Sequence, residues 1–156
     1  MKKIKIVNIL GTRPEIIRLS ETIKKLNNYF NHKLVFTNQN YSKELSDFFF
    51  NNFKIKFDYN LNIDNKSPIK SISQILLKFD KVLNIEKPDA CLILGDTNSA
   101  LSMIAAKKKN IPIFHYEAGN RCFDERVPEE INRKIIDHIA DINLTYSNSA
   151  KQNLID

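Results

Sequence analysis

The sequence predicts an α/β chain built on a Rossmann-like parallel sheet with helices on both faces. Three observations carry that expectation. Apolar runs such as Ile4 to Leu10, Asp89 to Leu94 and Ile111 to Tyr116 are nearly continuous instead of alternating, as strands buried on both faces must be. Segments of helical periodicity stand between them, the alternation that crossover helices impose on parallel strands. Small polar turns follow the strands at Gly11-Thr12-Arg13, Gly95-Asp96-Thr97 and Ala118-Gly119-Asn120. Right-handed crossovers bring such turns to one rim, where ligands of these sheets bind.

Taken in order, Ile4 to Leu10 is the first strand, and Pro14 to Asn28 a helix with Ile16, Ile17, Leu19, Ile23 and Leu26 as its apolar face. Lys33 to Thr37 is the second strand. Ser42 to Phe53 reads as a helix capped by Ser42, with Leu45, Phe48 and Phe49 at helical spacing. The run Phe48-Phe49-Phe50 is expected in the core or against a partner domain. Asp58 to Pro68 is polar and turn-rich, a loop beside a short strand, and Ser67-Pro68 starts a longer helix toward Ile85. Asp89 to Leu94 is a strand closed by Gly95 to Asn98, and Ser99 to Lys109 a helix with Leu101, Ile104 and Ala105 inward. Ile111 to Tyr116, Glu129 to Ala140 and Asp141 to Tyr146 follow as strand, helix and strand, and Ser147 to Asp156 opens a final helix.

A length of 156 residues accommodates one domain with a proper core. The net charge of +6, from 24 basic and 18 acidic residues, comes with lysines scattered along the chain, which describes a solvated surface with mild attraction for anions. No helix-turn-helix, zinc-finger or RNA-binding aromatic spacing is present, so nucleic acid is not an expected partner. Cys91 and Cys122 are far apart and lack metal-ligand spacing, which fits a reduced, cytoplasmic protein with no metal. The opening run carries Lys5 and Asn8 and leads into a turn, so it is a strand and not a signal peptide. No window approaches the roughly 18 apolar residues of a membrane span.

Charged groups crowd the stretch from His115 to His138. Glu117 stands just past a strand, and Val127-Pro128-Glu129-Glu130 opens a helix with proline in its first turn and acids at the positive end of its dipole. Asp96 follows another strand, where it is either a helix cap or a site residue. Convergence of Asp96, Glu117 and Glu129 on one rim favours the site: like charges and partial burial supply a general acid and a general base near neutrality. Gly11-Thr12-Arg13-Pro14-Glu15 outlines an anion site, with free N–H groups at the helix start and Arg13 beside them, or else an ordinary turn. Arg121, Arg126 and Arg133 either neutralise the acids or hold a diphosphate. His115 shares Glu117's strand face and is either structural or catalytic, while His32 and His138 read as structural or exposed.

The motifs GTRPEIIRL at 11–19, NQNYSKEL at 38–45, LGDTNSAL at 94–101, HYEAGNR at 115–121 and VPEEINRK at 127–134 resemble the non-hydrolysing UDP-N-acetylglucosamine 2-epimerase family over essentially the whole chain. The segment AGNRCFDERVPEEINRKIIDH is more similar to members that make UDP-N-acetylfucosamine or UDP-diacetamido-uronic acid precursors. The resemblance implies the N-terminal half of a two-domain, GT-B-like architecture with the site in the cleft between domains. It also implies UDP elimination across C1 and C2 of a UDP-N-acetylhexosamine to a glycal, then re-addition with C2 inverted, for surface polysaccharide precursors. Asp96, Glu117 and Glu129 fall on the family's acid and base carboxylates, Arg13 on its motif arginine near the phosphates and Arg133 on a site arginine, with Arg121 and His115 kept beside them as candidate substrate or UDP contacts; no metal or other cofactor is implied. Asn38 stands where the family has glycine, at a turn that needs positive φ. The chain ends before the nucleotide-binding domain and is expected to be inactive unless a separate C-terminal half completes the cleft. A second copy of the chain is a further expected partner. The rival expectations are a non-catalytic remnant or assembly module, and the acceptor half of a GT-B glycosyltransferase.

Overall fold

The structure, a computed structural model, describes residues 3–38 and 43–155. Six parallel strands form one sheet: β1 (Lys5–Leu10), β2 (Asn31–Phe36), β3 (Tyr59–Asn60), β4 (Ala90–Leu94), β5 (Ile113–Tyr116) and β6 (Ile142–Leu144), in the order β3-β2-β1-β4-β5-β6. The order reverses between β1 and β4, which makes the end of that pair the switch point where open α/β sheets take ligands. Between the strands run α1 (Arg13–Tyr29), α2 (Lys43–Phe53), α3 (Pro68–Glu86), a 3₁₀ turn at Asn98–Ser102 with α4 (Met103–Lys108), α5 (Pro128–Ile139) and, after β6, α6 (Asn148–Gln152).

Alternation along the strands sorts the core into two layers. Leu10, Leu34, Phe36 and Leu94 pack with Ile16, Leu19 and Ile23 of α1 and Phe50 of α2. Val7, Ile9, Val35, Cys91, Ile93 and Ile113 face the other way, onto Ile75, Phe79 and Leu83 of α3, Met103 of α4 and Ile136 of α5. The expected helices on both faces are therefore present. Phe79 is fully buried, and truncating it to alanine would cost about 3–5 kcal/mol.

Several local expectations are corrected by packing. Ile17 is exposed, because α1 turns Ile16, Leu19 and Ile23 inward and rotates position 17 outward. The helix expected at Ser99 opens as the 3₁₀ turn: Ala100 N–H bonds Thr97 O, Asn132 Nδ2 holds the Asp96 carbonyl at 2.8 Å, and the buried Ser99 Oγ meets Thr37 Oγ1 at 3.0 Å. The final helix stops at Gln152, since Asn153 turns its Nδ2 to the Gly119 carbonyl at 2.9 Å. In the phenylalanine run only Phe50 is buried, and Phe48 is exposed. The expected cap Ser42 and the Leu45 side chain lie outside the described residues. Asn38 has φ of 59°, the left-handed conformation anticipated there and one that asparagine adopts at modest cost.

At the N-terminal rim of the sheet an aspartate precedes three strands and brackets a residue of the neighbour. Asp58 receives Leu34 N–H on its carboxylate at 2.9 Å and gives its own N–H to Leu34 O. Asp89 does the same to Lys5, and Asp141 to Ile113. Each device satisfies a backbone donor one residue before the paired register of the two strands begins.

Candidate functional site

At the C-terminal rim, beyond the ends of β1, β4 and β5, a cavity of about 280 Å³ is lined by Thr12, Pro14, Glu15 and Arg18 from the start of α1, Leu94 to Thr97, Glu117 and Arg133. A larger concavity of about 620 Å³ runs beside β6 between Tyr116, Tyr146 and Leu154, but no acid lines it. The chemistry is in the smaller one.

Glu117 enters this cavity from a turn with φ of 70°, a conformation that costs a non-glycine residue on the order of 1 kcal/mol or more and is held by its surroundings. Its carboxylate accepts from Arg18 Nη1 at 2.5 Å and from Asn120 Nδ2 at 3.2 Å. Two residues on, Gly119 is gripped from three sides. Its N–H points to both Asp137 oxygens at 3.2 and 3.3 Å, its carbonyl takes Asn153, and a Cβ there would collide with the Ala150 carbonyl.

Asp96 accepts from Arg133 Nε at 2.6 Å. The same guanidinium gives Nη1 to Glu130 at 2.9 Å, so Arg133 bridges two carboxylates. Glu130 is buried, and its Oε2 also receives the Cys122 N–H at 3.0 Å and approaches Cys122 Sγ at 3.4 Å. Burial pushes its carboxyl up, but the Cys122 amide and the Arg133 guanidinium outweigh that and hold it down at about 2.

Glu15 fills the site outlined at the start of α1. Its Oε2 takes Gly11 N–H at 2.9 Å, Thr12 N–H at 2.6 Å and Thr12 Oγ1 at 2.8 Å, and its Oε1 takes Thr97 Oγ1 at 3.0 Å. The Gly11 and Thr12 N–H groups of this turn are thus already occupied by the chain's own carboxylate, which ties the β1 turn to the β4 turn. Burial raises the Glu15 carboxyl despite these four donors.

Asp137, nearly fully buried, organises the floor beneath Glu117. It meets Arg121 Nη1 at 2.6 Å, and its Oδ1 stands 2.9 Å from His115 Nδ1, outside the geometry of a straight hydrogen bond. Burial works against its charge, but His115, Arg121 and the Gly119 amide hold the carboxyl below the usual range. His115 is itself buried, with Nε2 at 2.9 Å from the Gly95 carbonyl.

Of the residues singled out in the sequence, Asp96, Glu117 and Arg133 meet in one cavity. Glu129 is exposed on the first turn of α5, outside the cavity lining but four residues before Arg133 and so on the same helix face. Arg13 is exposed and does not line the cavity; Arg126 pairs with Asp124 at 2.8 Å. Arg121 is committed to Asp137 and the Asn120 carbonyl. Glu15, Arg18, Thr97, Glu130 and Asp137 went unremarked as site residues. Helical spacing was the available signal for Arg18, three residues beyond Glu15 and four beyond Pro14 on one face of α1.

Among the described residues no group of three or more His, Cys, Asp or Glu is placed to hold a metal ion, and no helix is long and apolar enough to cross a membrane. The arrangement offers carboxylates for proton transfer and two arginines beside them, in a small pocket that is open to solvent.

Residues 23–156 match the family model described as UDP-N-acetylglucosamine 2-epimerase. The UDP-N-acetylglucosamine 2-epimerase structure from Rickettsia bellii is 54% identical and superposes with a TM-score of 0.92 over 98% of this chain and 41% of that one. The Methanocaldococcus jannaschii enzyme, solved in complex with UDP-GlcNAc and UDP, is 39% identical with a TM-score of 0.93, over 97% of this chain and 43% of its own. A Pseudomonas aeruginosa UDP-2,3-diacetamido-2,3-dideoxy-D-glucuronate 2-epimerase is 38% identical over 88% of this chain and 40% of that protein. The chain thus spans about two fifths of the length of these relatives.

Proposed function

The chain belongs to the UDP-N-acetylglucosamine 2-epimerase family, and from that premise we propose that it carries the proton-transfer half of a UDP-N-acetylhexosamine 2-epimerase site. The observation that carries this reading is the convergence of Asp96, Glu117, Arg18 and Arg133 on one cavity at the switch point. A carboxylate takes the C2 proton while the C1–O bond breaks and its electron pair leaves with the UDP oxygen, giving a C1=C2 glycal. UDP then adds back at C1 as a second carboxyl delivers a proton to the opposite face of C2. Asp96, Glu117 and Glu129 are the groups assigned to these transfers. The C2 hydrogen is weakly acidic, so fixed geometry and cations at the departing diphosphate must supply much of the barrier reduction. Arg18 and Arg133 line the cavity and Arg13 stands exposed in the preceding turn, which suits them to that charge. Arg121 and His115 act through Asp137, holding the floor under Glu117.

In this reading residues 1–156 are the N-terminal domain, and a nucleotide-binding half is needed to complete the cleft. The sugar is a UDP-N-acetylhexosamine with a C2 acetamido group, the diacetamido-uronic acid class included, for polysaccharide precursors. The test is proton NMR in deuterated water with a panel of UDP-N-acetylhexosamines, using the chain alone and mixed with the C-terminal portion of a relative. Deuterium at C2 only in the mixture is the expected outcome. No exchange in any mixture overturns the reading in favour of a non-catalytic module, and sugar transfer without exchange favours a glycosyltransferase.

A further inference from the structure

We infer that the Arg18–Glu117 ion pair is a ligand-released latch: Arg18 masks Glu117 in the empty site and leaves it for the diphosphate of an arriving nucleotide, freeing Glu117 to act as a base. The inference rests on the proposal that this cavity takes a nucleoside diphosphate sugar.

The two arginines of the cavity differ in how they are held. Arg133 is clamped between two carboxylates, Asp96 at 2.6 Å and the buried Glu130 at 2.9 Å, and its side chain is 21% exposed. Moving it would strand Glu130, a buried anion, at a cost of several kcal/mol. Arg18 rests on one carboxylate, Glu117, and its side chain is 53% exposed while the acid beneath is 17% exposed. Of the two, Arg18 is the one free to swing.

The charge balance of the cavity favours such a movement. Three carboxylates line it, Glu15, Asp96 and Glu117, against two guanidiniums. Two backbone donors just before α1, those of Gly11 and Thr12, are taken by Glu15. A diphosphate entering this pocket finds the Gly11 and Thr12 amides already taken, and Arg18 is the lining guanidinium that can turn toward it. A guanidinium shifting from carboxylate to phosphate keeps a charge-assisted, bidentate contact and loses little. The carboxylate left behind is uncovered and can be reached by the sugar. Glu117 is poised for this by its turn, whose strained φ and pinned Gly119 keep the carboxylate in the cavity when its partner departs. The latch thereby couples exposure of the base to presence of the leaving group.

The experiment is a double-mutant cycle on ligand binding, with UDP and inorganic pyrophosphate titrated into the chain, Arg18→Ala, Glu117→Gln and the double variant, followed by NMR. If Arg18 must be taken from Glu117, R18A weakens binding about tenfold, and E117Q tightens it about threefold by removing the competitor. In the R18A background E117Q then has no effect. Equal tightening in both backgrounds would mean simple charge repulsion and would overturn the latch, as would an E117Q variant that binds no better than the parent. Absence of binding by every variant at millimolar ligand overturns it too. A second readout is independent of affinity: the Glu117 carboxyl ¹³C shift moves on adding pyrophosphate to the parent and stays still in R18A. C2 exchange in the complemented mixture with an additive cycle would leave the epimerase proposal standing without the latch; a coupled cycle without exchange would do the reverse.

Discussion

The two rims of the sheet use the same residue type in opposite ways. At the N-terminal rim, Asp58, Asp89 and Asp141 each sit one residue before a strand and satisfy a neighbouring backbone N–H; Asp58 and Asp141 also hold a lysine each, at 2.8 and 2.6 Å. They are spread along the sheet and serve one strand pair apiece. At the C-terminal rim, Asp96 and Glu117 lie just beyond strands, yet they share a cavity with Glu15 and two arginines. An acid at a strand end therefore says little about function by itself. What separates the rims is convergence, which only the topology reveals.

The comparison can be broken or sharpened by substitution. The largest expected effect is at Glu117: E117Q in the complemented enzyme should slow C2 exchange about a thousandfold while changing stability by less than about 0.5 kcal/mol. An undiminished exchange rate would remove Glu117 from the chemistry. Next comes Asp137, which belongs to the upper rim but acts as framework. Asp137→Ala leaves Arg121 and the Gly119 amide without their acceptor and should cost about 3 kcal/mol in urea unfolding. A loss below about 1 kcal/mol would show that the floor is not held this way.

Acid sharpens the contrast further. Glu130 has a carboxyl depressed to about 2 in the folded chain, so its contribution is fully present above the unfolded value near 4.5 and is lost as pH falls toward 2. The parent should therefore lose on the order of 2–3 kcal/mol across that window beyond what Glu130→Gln loses. Parallel pH curves for the two would refute the assignment. The smallest effects belong to the lower rim: Asp58→Ala, Asp89→Ala and Asp141→Ala should each cost about 1 kcal/mol and add nearly independently. Pyrophosphate affinity should be unchanged in all three, and any large shift would erase the distinction between the rims.

The parallel sheet and the order of its elements were legible because near-continuous apolar strands and period-3.6 helices leave a strong local signal. Asp96, Glu117 and Arg133 were legible for a similar reason, lying within two turns of a strand or helix boundary. Arg18 was not, because exposure of a charged residue on a helix looks the same in sequence whether or not an acid from another strand reaches it, and Glu117 is 99 positions away. Glu130 and Glu129 look alike as neighbours in a first turn, but the first is buried against Cys122 and Arg133 while the second faces solvent. The N-terminal brackets were missed because each Asp reads as an ordinary turn residue until its partner strand is known.

Gly119 gives α6 a mechanical role. Because the Ala150 carbonyl closes on that glycine and Asn153 grips its carbonyl, the helix and the turn carrying Glu117 form one lever with its fulcrum at Asp137. A side chain at position 119 would have to push α6 and the Glu117 turn apart. The seat of a helix outside the pocket and the aim of a carboxylate inside it thus share one joint.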